Sequence, residues 1–181
     1  MSERAFIDYD KLAKESPAAI ENAENGLPDE VFSFVSSVTP MVNVDLLVVR
    51  DGKILLAWRD DGRNLGWHIP GGIVRFKESF HERIIKTAER ELGTEVEYKA
   101  DPIKISEIKM WYQRRGHFIS FLYECCLPEN YEIDNKDLSE KDDGFLKWFD
   151  HEPDNLVEGQ KCYKGFLREY LRTEELEKYG K

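Results

Sequence analysis

The stretch from Ile69 to Thr94 constrains the fold of this chain more than any other. Ile69-Pro70-Gly71-Gly72 interrupts regular structure, and Ser79–Leu92 restores it with Phe80, Ile84, Ile85, Ala88 and Leu92 at helical spacing and Gly93 just beyond. Apolar residues on that period form one buried stripe, and a glycine after the last turn accepts the left-handed conformation that ends a helix. The spacing therefore predicts a loop feeding a one-faced helix, which must lie on a flat apolar partner. Upstream, Met41–Arg50 and Lys53–Arg59 are strand-like runs joined by Asp51-Gly52. A two-residue Asp-Gly link tolerates positive φ at both positions and is a strong hairpin signal.

The remaining chain fits the same plan. Pro28 opens a short helix with Val31, Phe34, Val35 and Val38 on one side, and Pro40 ends it. Asp60–His68 reads as a loop. Strands are predicted at Ile103–Trp111, Phe118–Cys126 and Phe145–Phe149, and a last helix over about Tyr163–Tyr179 with Phe166, Leu167, Tyr170 and Leu171 apolar. Strands interspersed with a few helices predict an α/β (α+β) domain: a mixed, partly antiparallel sheet covered on both faces. Residues 1–26, polar and broken by Pro17 and Gly26, read as an extension, leaving 27–181 as one domain.

Charge narrows the partners. With 26 Lys and Arg against 36 Asp and Glu, the net charge of −10 argues against a nucleic-acid polymer, since phosphate backbones select basic surfaces. A small phosphorylated ligand needs only a few local cations. No apolar run is long enough to span a membrane, and the charged N-terminus lacks a signal-peptide core, so a cytoplasmic location is expected. Cys125, Cys126 and Cys162 fit neither zinc nor disulfide spacing and are expected to be buried free thiols.

Gly72–Thr94 resembles the Nudix signature, G-x5-E-x7-R-E-U-x-E-E-x-G-U, with U a bulky apolar residue. Gly72, Glu78, Ala88, Glu91 and Gly93 stand at its positions. The resemblance implies a Nudix-type α/β/α sandwich, and a Mg2+ (or Mn2+) ion held against a diphosphate by carboxylates late in the helix. Positions 87, 90 and 91 share an arc of about 100° on a helix, so three glutamates there would make one metal-binding face. Here they are Thr87, Arg90 and Glu91, and Lys86 replaces the signature arginine while keeping a charge that can pair with Glu78.

This erosion is similar to that in the GDP-mannose mannosyl hydrolases, and the likeness runs from about Leu27 to Leu171. It takes in Thr39-Pro40, Val44-Asp45, Arg59, Trp67 and Gly116-His117-Phe118. It implies a nucleotide-sugar substrate, attack at the anomeric carbon, Gly71 (by its carbonyl) and Glu91 on one metal ion, His117 as base, and a homodimer. A magnesium-bound diphosphate leaves without a general acid, and one or two carboxylates suffice for that ion. Where those enzymes carry a metal-binding amide before the histidine, this chain has Gly116.

The candidate residues also have readings of their own. Asp45 shares a strand face with Asn43 and Leu47, where a carboxylate either lines a pocket, binding sugar or orienting a cation, or is paired in a salt bridge. Arg59 is a strand-end arginine suited to a leaving phosphate, yet an ideal hairpin turns it away from Asp45. Arg75, Arg114 and Arg115 are further phosphate ligands. Trp67, Trp111 and Tyr112 are core or rim aromatics, or stack a base. Two rival functions stand beside the mannosyl-hydrolase type: a Nudix pyrophosphatase cutting a P–O bond, and a Nudix-fold sensor that binds a nucleotide sugar without cutting it.

Overall fold

The computed structural model describes residues 26–179 together with Asp10, Lys11 and Lys14. The expected extension over 1–26 thus falls almost wholly outside the described residues. Helix α1 (Asp29–Val38) leads into strand β1 (Met41–Arg50), which turns through Asp51 (φ 55°) and Gly52 (φ 72°) into β2 (Lys53–Asp60). The hairpin is real but brief: only Val49↔Ile54 and Arg50↔Lys53 pair. Beyond them the two strands part and recruit different neighbours.

β1 runs parallel to β7 (His117–Cys126) from Met41↔Phe118 to Val48↔Cys125, and antiparallel to β4 (Gly71–Ile73) through Asp45↔Gly71. β7 also carries β6 (Lys104–Lys109) and the two-residue β5 (Glu97–Tyr98). β2 takes β3 (Leu65–His68) on one edge and β8 (Leu146–Phe149) on the other. β3, β4 and β5 were not anticipated, and β4 corrects the expectation that Gly71 and Gly72 lie in an irregular loop. β3 forms inside the expected Asp60–His68 loop because it closes a short hairpin onto β2 (Arg59↔Gly66, Trp58↔Trp67) and Trp67 also exchanges backbone hydrogen bonds with the distant Asn155 and Val157, contacts that local composition does not announce.

Alternation along the strands divides the core between the two faces. Val44, Leu46 and Val48 of β1 pack with Ile84, Ala88 and Leu92 of helix α2 (Phe80–Leu92). Leu47 packs on the other side with Trp58, Trp67 and Phe149, and with Leu167 and Leu171 of helix α3 (Phe166–Tyr179). Each such fully buried aliphatic contributes roughly 1.5–3 kcal/mol. The sheet is thus covered on both faces, as the sequence predicts. The final helix starts later than expected, because Glu158–Tyr163 winds as a separate 3-10 helix. Only Cys125 is buried among the three thiols; Cys126 and Cys162 are exposed, correcting the expectation for those two. Among the described residues no helix is long and apolar enough to cross a membrane.

Helix α2 begins with a reciprocal cap. Ser79 accepts from the Glu82 backbone N–H at 3.2 Å, and Glu82 accepts from the Ser79 N–H at 2.8 Å. Gly93 closes the helix with φ 68°. Immediately before the Ser79 cap, the loop is tied down by Glu78, whose carboxylate accepts from the Arg75 N–H (2.9 Å), both arms of Arg83 (2.7 and 2.8 Å) and Lys86 (3.1 Å). The Lys86–Glu78 pairing is the one the sequence suggests. These contacts fix where Gly71 and Gly72 meet the helix.

Candidate active site

A cavity of about 1870 Å³ opens where β1 and β2 separate, walled by α1, by the β4 loop and by the β6–β7 connection. Its lining holds Arg59, Arg63, Arg75, Arg83, Arg90, Arg114 and Arg115 against two carboxylates, Asp45 and Asp61. A chain of net charge −10 has therefore concentrated cations on one concave surface. Arg83 is committed to Glu78, but the guanidinium of Arg115 lies 4.3 Å above the Phe32 ring with its buried Nε lacking a protein partner. Such a surface suits a ligand with several negative charges.

Asp45 lies at the floor, 4% exposed. Among the described residues no salt bridge holds it. It accepts instead from the Ser120 hydroxyl, from the Tyr163 hydroxyl at 2.8 Å and from the Gln160 amide at 3.4 Å. Burial raises its pKa to about 6, against the lowering effect of the two hydroxyls, and the nearby Glu91 charge adds to the rise. Gln160 also clamps Ile69, taking its N–H at 2.6 Å and donating to its carbonyl at 3.0 Å. A side chain at position 71 would put its Cβ 2.2 Å from Asp45 Oδ1, so the glycine is a requirement of close approach.

Beside this floor sits His68, which is buried. Arg59 lies 3.0 and 3.3 Å from its Nε2; because guanidinium only donates, that nitrogen is the acceptor and Nδ1 carries the proton, donated to the Ile69 carbonyl at 2.9 Å. Burial lowers the His68 pKa, with the Glu91 charge opposing it and Arg59 adding to it. Sequence reading passed over His68, Gln160, Tyr163 and Ser120. A polar residue inside a lead-in loop, or far along the chain, gave no sign that it would meet Asp45.

The structure brings together Asp45, Arg59, Gly71, Arg75 and Arg115 around one cavity. Arg59 and Asp45 do extend from opposite faces of their strands, but both reach the cavity because the strands part after Val49↔Ile54. His117 is not brought there. Phe118 lines the cavity and Ser120 bonds Asp45, so the strand period turns His117 the other way; it is partly exposed, with Glu107 at 3.4 Å. Trp67 is also absent from the lining. It is 4% exposed, stacked edge-on against Trp58 and Phe149 at 5.2 and 4.7 Å, and belongs to the core.

The proposed metal ligands have a different neighbour. Arg90 donates to the Gly71 carbonyl at 3.3 Å and to Glu91 Oε1 at 2.6 Å, while Arg59 stands 3.5 Å from the same oxygen. Glu91 Oε2 accepts from the Gly71 N–H at 3.2 Å. Thr87, at another lost carboxylate position, is buried against Gly72. Among the described residues no three His, Cys, Asp or Glu side chains converge on a metal-sized site. One carboxylate already held by two guanidiniums does not fit a resident divalent ion.

Comparison with known proteins agrees with this architecture. The NUDIX domain family model matches residues 39–169. Low-salt glycan biosynthesis protein Agl8 of Haloferax volcanii is 25% identical over 119 residues, covering 61% of this chain and 74% of that protein. A solved UDP-X diphosphatase superposes with a TM-score of 0.56 at 20% identity, over 94% of this chain and 73% of that one. A MutT NUDIX hydrolase from Burkholderia pseudomallei gives 0.54 at 23% identity, over 68% and 95%. The match spans the β1 start, the glycine pair, the whole of α2 and the first residues of α3, and on that ground this chain belongs to the NUDIX family of hydrolases.

Proposed function

We propose that this protein hydrolyses a nucleotide sugar of the GDP-mannose type, releasing the nucleoside diphosphate and the free sugar. The observation that carries the reading is the cavity: large enough for a nucleotide sugar, and lined by seven arginines in an otherwise acidic chain. The glycan-biosynthesis role named for the Haloferax volcanii relative and the nucleotide substrate named for the UDP-X diphosphatase point to the same substrate class. A soluble small-molecule substrate in the cytoplasm, and a homodimer, remain part of the proposal.

The reaction needs a proton acceptor for water and positive charge for the departing diphosphate. Asp45 is the acceptor in this reading, since it lines the cavity with a pKa near 6 and His117 does not line it. Water adds to the anomeric carbon, its proton passes to Asp45, and the carbon–oxygen bond breaks with its electron pair on the diphosphate. Arg59 and Arg75 take up that charge. The lack of a carboxylate at positions 87 and 90 of α2, where Thr87 and Arg90 stand beside Glu91, favours attack at carbon, because attack at phosphorus in this family depends on a water activated by carboxylates there.

A panel of nucleotide sugars incubated in ¹⁸O-labelled water tests the reading. Label is expected in the free sugar with inverted anomeric configuration, and none in the nucleoside diphosphate. Label in a phosphate product would establish pyrophosphatase chemistry instead. Tight binding with no turnover across the panel would make the protein a sensor.

A further inference from the structure

We propose that Arg90 takes the place of a divalent cation, so that this protein grips the diphosphate of its ligand without metal. The inference rests on the diphosphate-ligand reading above and deepens it. Its basis is the pair of contacts by which one guanidinium satisfies both groups expected to hold an ion: the Gly71 carbonyl at 3.3 Å and Glu91 Oε1 at 2.6 Å. Arg59, 3.5 Å from that same oxygen, adds a second fixed cation. Asp143, 3.8 Å from Arg59, balances that guanidinium, so what excludes a chelated ion is occupancy: Arg90 already takes up both oxygens that would hold it.

Asp45 does not restore the cage. Its carboxylate is engaged by Ser120, Tyr163 and Gln160. Thr87, in the remaining position of the helix face, offers a hydroxyl, a poor exchange for a carboxylate with a hard cation. Arg90 lines the cavity with its side chain about half exposed, so its remaining N–H groups are open to a ligand. A planar guanidinium offers five donors and matches phosphate oxygens two at a time. Glu91 then serves as the anchor that aims Arg90, which makes it a positioning residue rather than a ligand.

The test uses the full chain with inorganic pyrophosphate and Mn2+ as probes. Calorimetry is expected to give the same pyrophosphate affinity, within about threefold, in excess EDTA and in excess Mg2+. The Mn2+ electron paramagnetic resonance signal should show no bound ion below about millimolar concentration. Arg90→Gln should weaken pyrophosphate binding in EDTA by about tenfold or more. Arg90→Glu, which returns a carboxylate beside Glu91, should lose binding in EDTA and gain a bound Mn2+ signal. Micromolar Mn2+ binding by the unaltered protein, or pyrophosphate binding that vanishes in EDTA, would overturn the proposal and leave the diphosphate reading intact. Absence of pyrophosphate binding under both conditions would remove the diphosphate reading, and this proposal with it.

Discussion

At the scale of single residues, Asp45 carries the sharpest consequence. A buried carboxyl whose pKa rises from an ordinary 3.8 to about 6 opposes folding when ionised, by about 3 kcal/mol. Because the folded state holds the proton more tightly than the unfolded one, stability should fall as pH rises from about 4 to about 6 and stay low above that. Asp45→Asn removes the charge while keeping an acceptor for Ser120 and Tyr163, so it should be more stable than the unaltered protein at neutral pH and lose this part of the pH dependence. The same change should cut turnover by about 10²–10⁴ if Asp45 takes the proton from water. His117→Ala, on the far face of β7, should leave turnover within about threefold. Urea unfolding across pH, with turnover of both variants, checks each arm. A large loss in His117→Ala would return the base to that residue.

At the scale of elements, α2 is positioned by its N-terminal attachments more than by its own propensity. Glu78 and Arg83 form a pair with side chains 1% and 4% exposed, and Lys86 and the Arg75 N–H complete the carboxylate's partners. Removing one member of such a pair strands the other in a low-dielectric setting, which costs about 3–5 kcal/mol. Glu78→Gln should therefore destabilise the protein by about 3 kcal/mol, whereas Ser79→Ala, which loses only the cap, should cost about 1 kcal/mol. Urea midpoints compared at constant slope measure both. Equal losses would mean that the loop before α2 finds other support. The placement matters because Glu91 and Arg90 ride on the last turn of this helix, and Gly71 reaches them from β4.

At the scale of the whole molecule, two charge distributions compete. The net charge of −10 repels an anionic ligand at long range, and the arginine-lined cavity attracts it at short range. Salt screens both over about 8–10 Å near physiological strength, so the sign of the salt effect tells which dominates. Local attraction should win: pyrophosphate affinity should weaken by about tenfold between about 50 mM and about 500 mM NaCl. Calorimetric titrations at the two strengths decide it. Tightening with salt would mean that the overall negative charge governs binding.

Features that depend on near neighbours in the chain could be read from the amino-acid order. The Asp51-Gly52 turn, the apolar stripe of α2, its Gly93 stop and the alternation that puts Asn43, Asp45 and Leu47 on one face of β1 are all local consequences of period and backbone freedom. The spacing of Gly72, Glu78 and Glu91 was legible for the same reason. The facing of His117 was also legible in β7, where a residue in odd register with Phe118 and Ser120 lies on the other face of the strand. The folded arrangement of the elements set the remainder. It set where β1 and β2 separate, which admits Arg59 to the cavity despite its opposite strand face. It brought Ser120, Gln160 and Tyr163 onto Asp45 across the fold, and it laid Arg90 over the Gly71 carbonyl and Glu91. Apart from the Arg90–Glu91 pair, which are neighbours on α2, those contacts join residues from different elements, and their geometry follows from how the sheet twists and the helices pack, which no pattern within a single segment encodes.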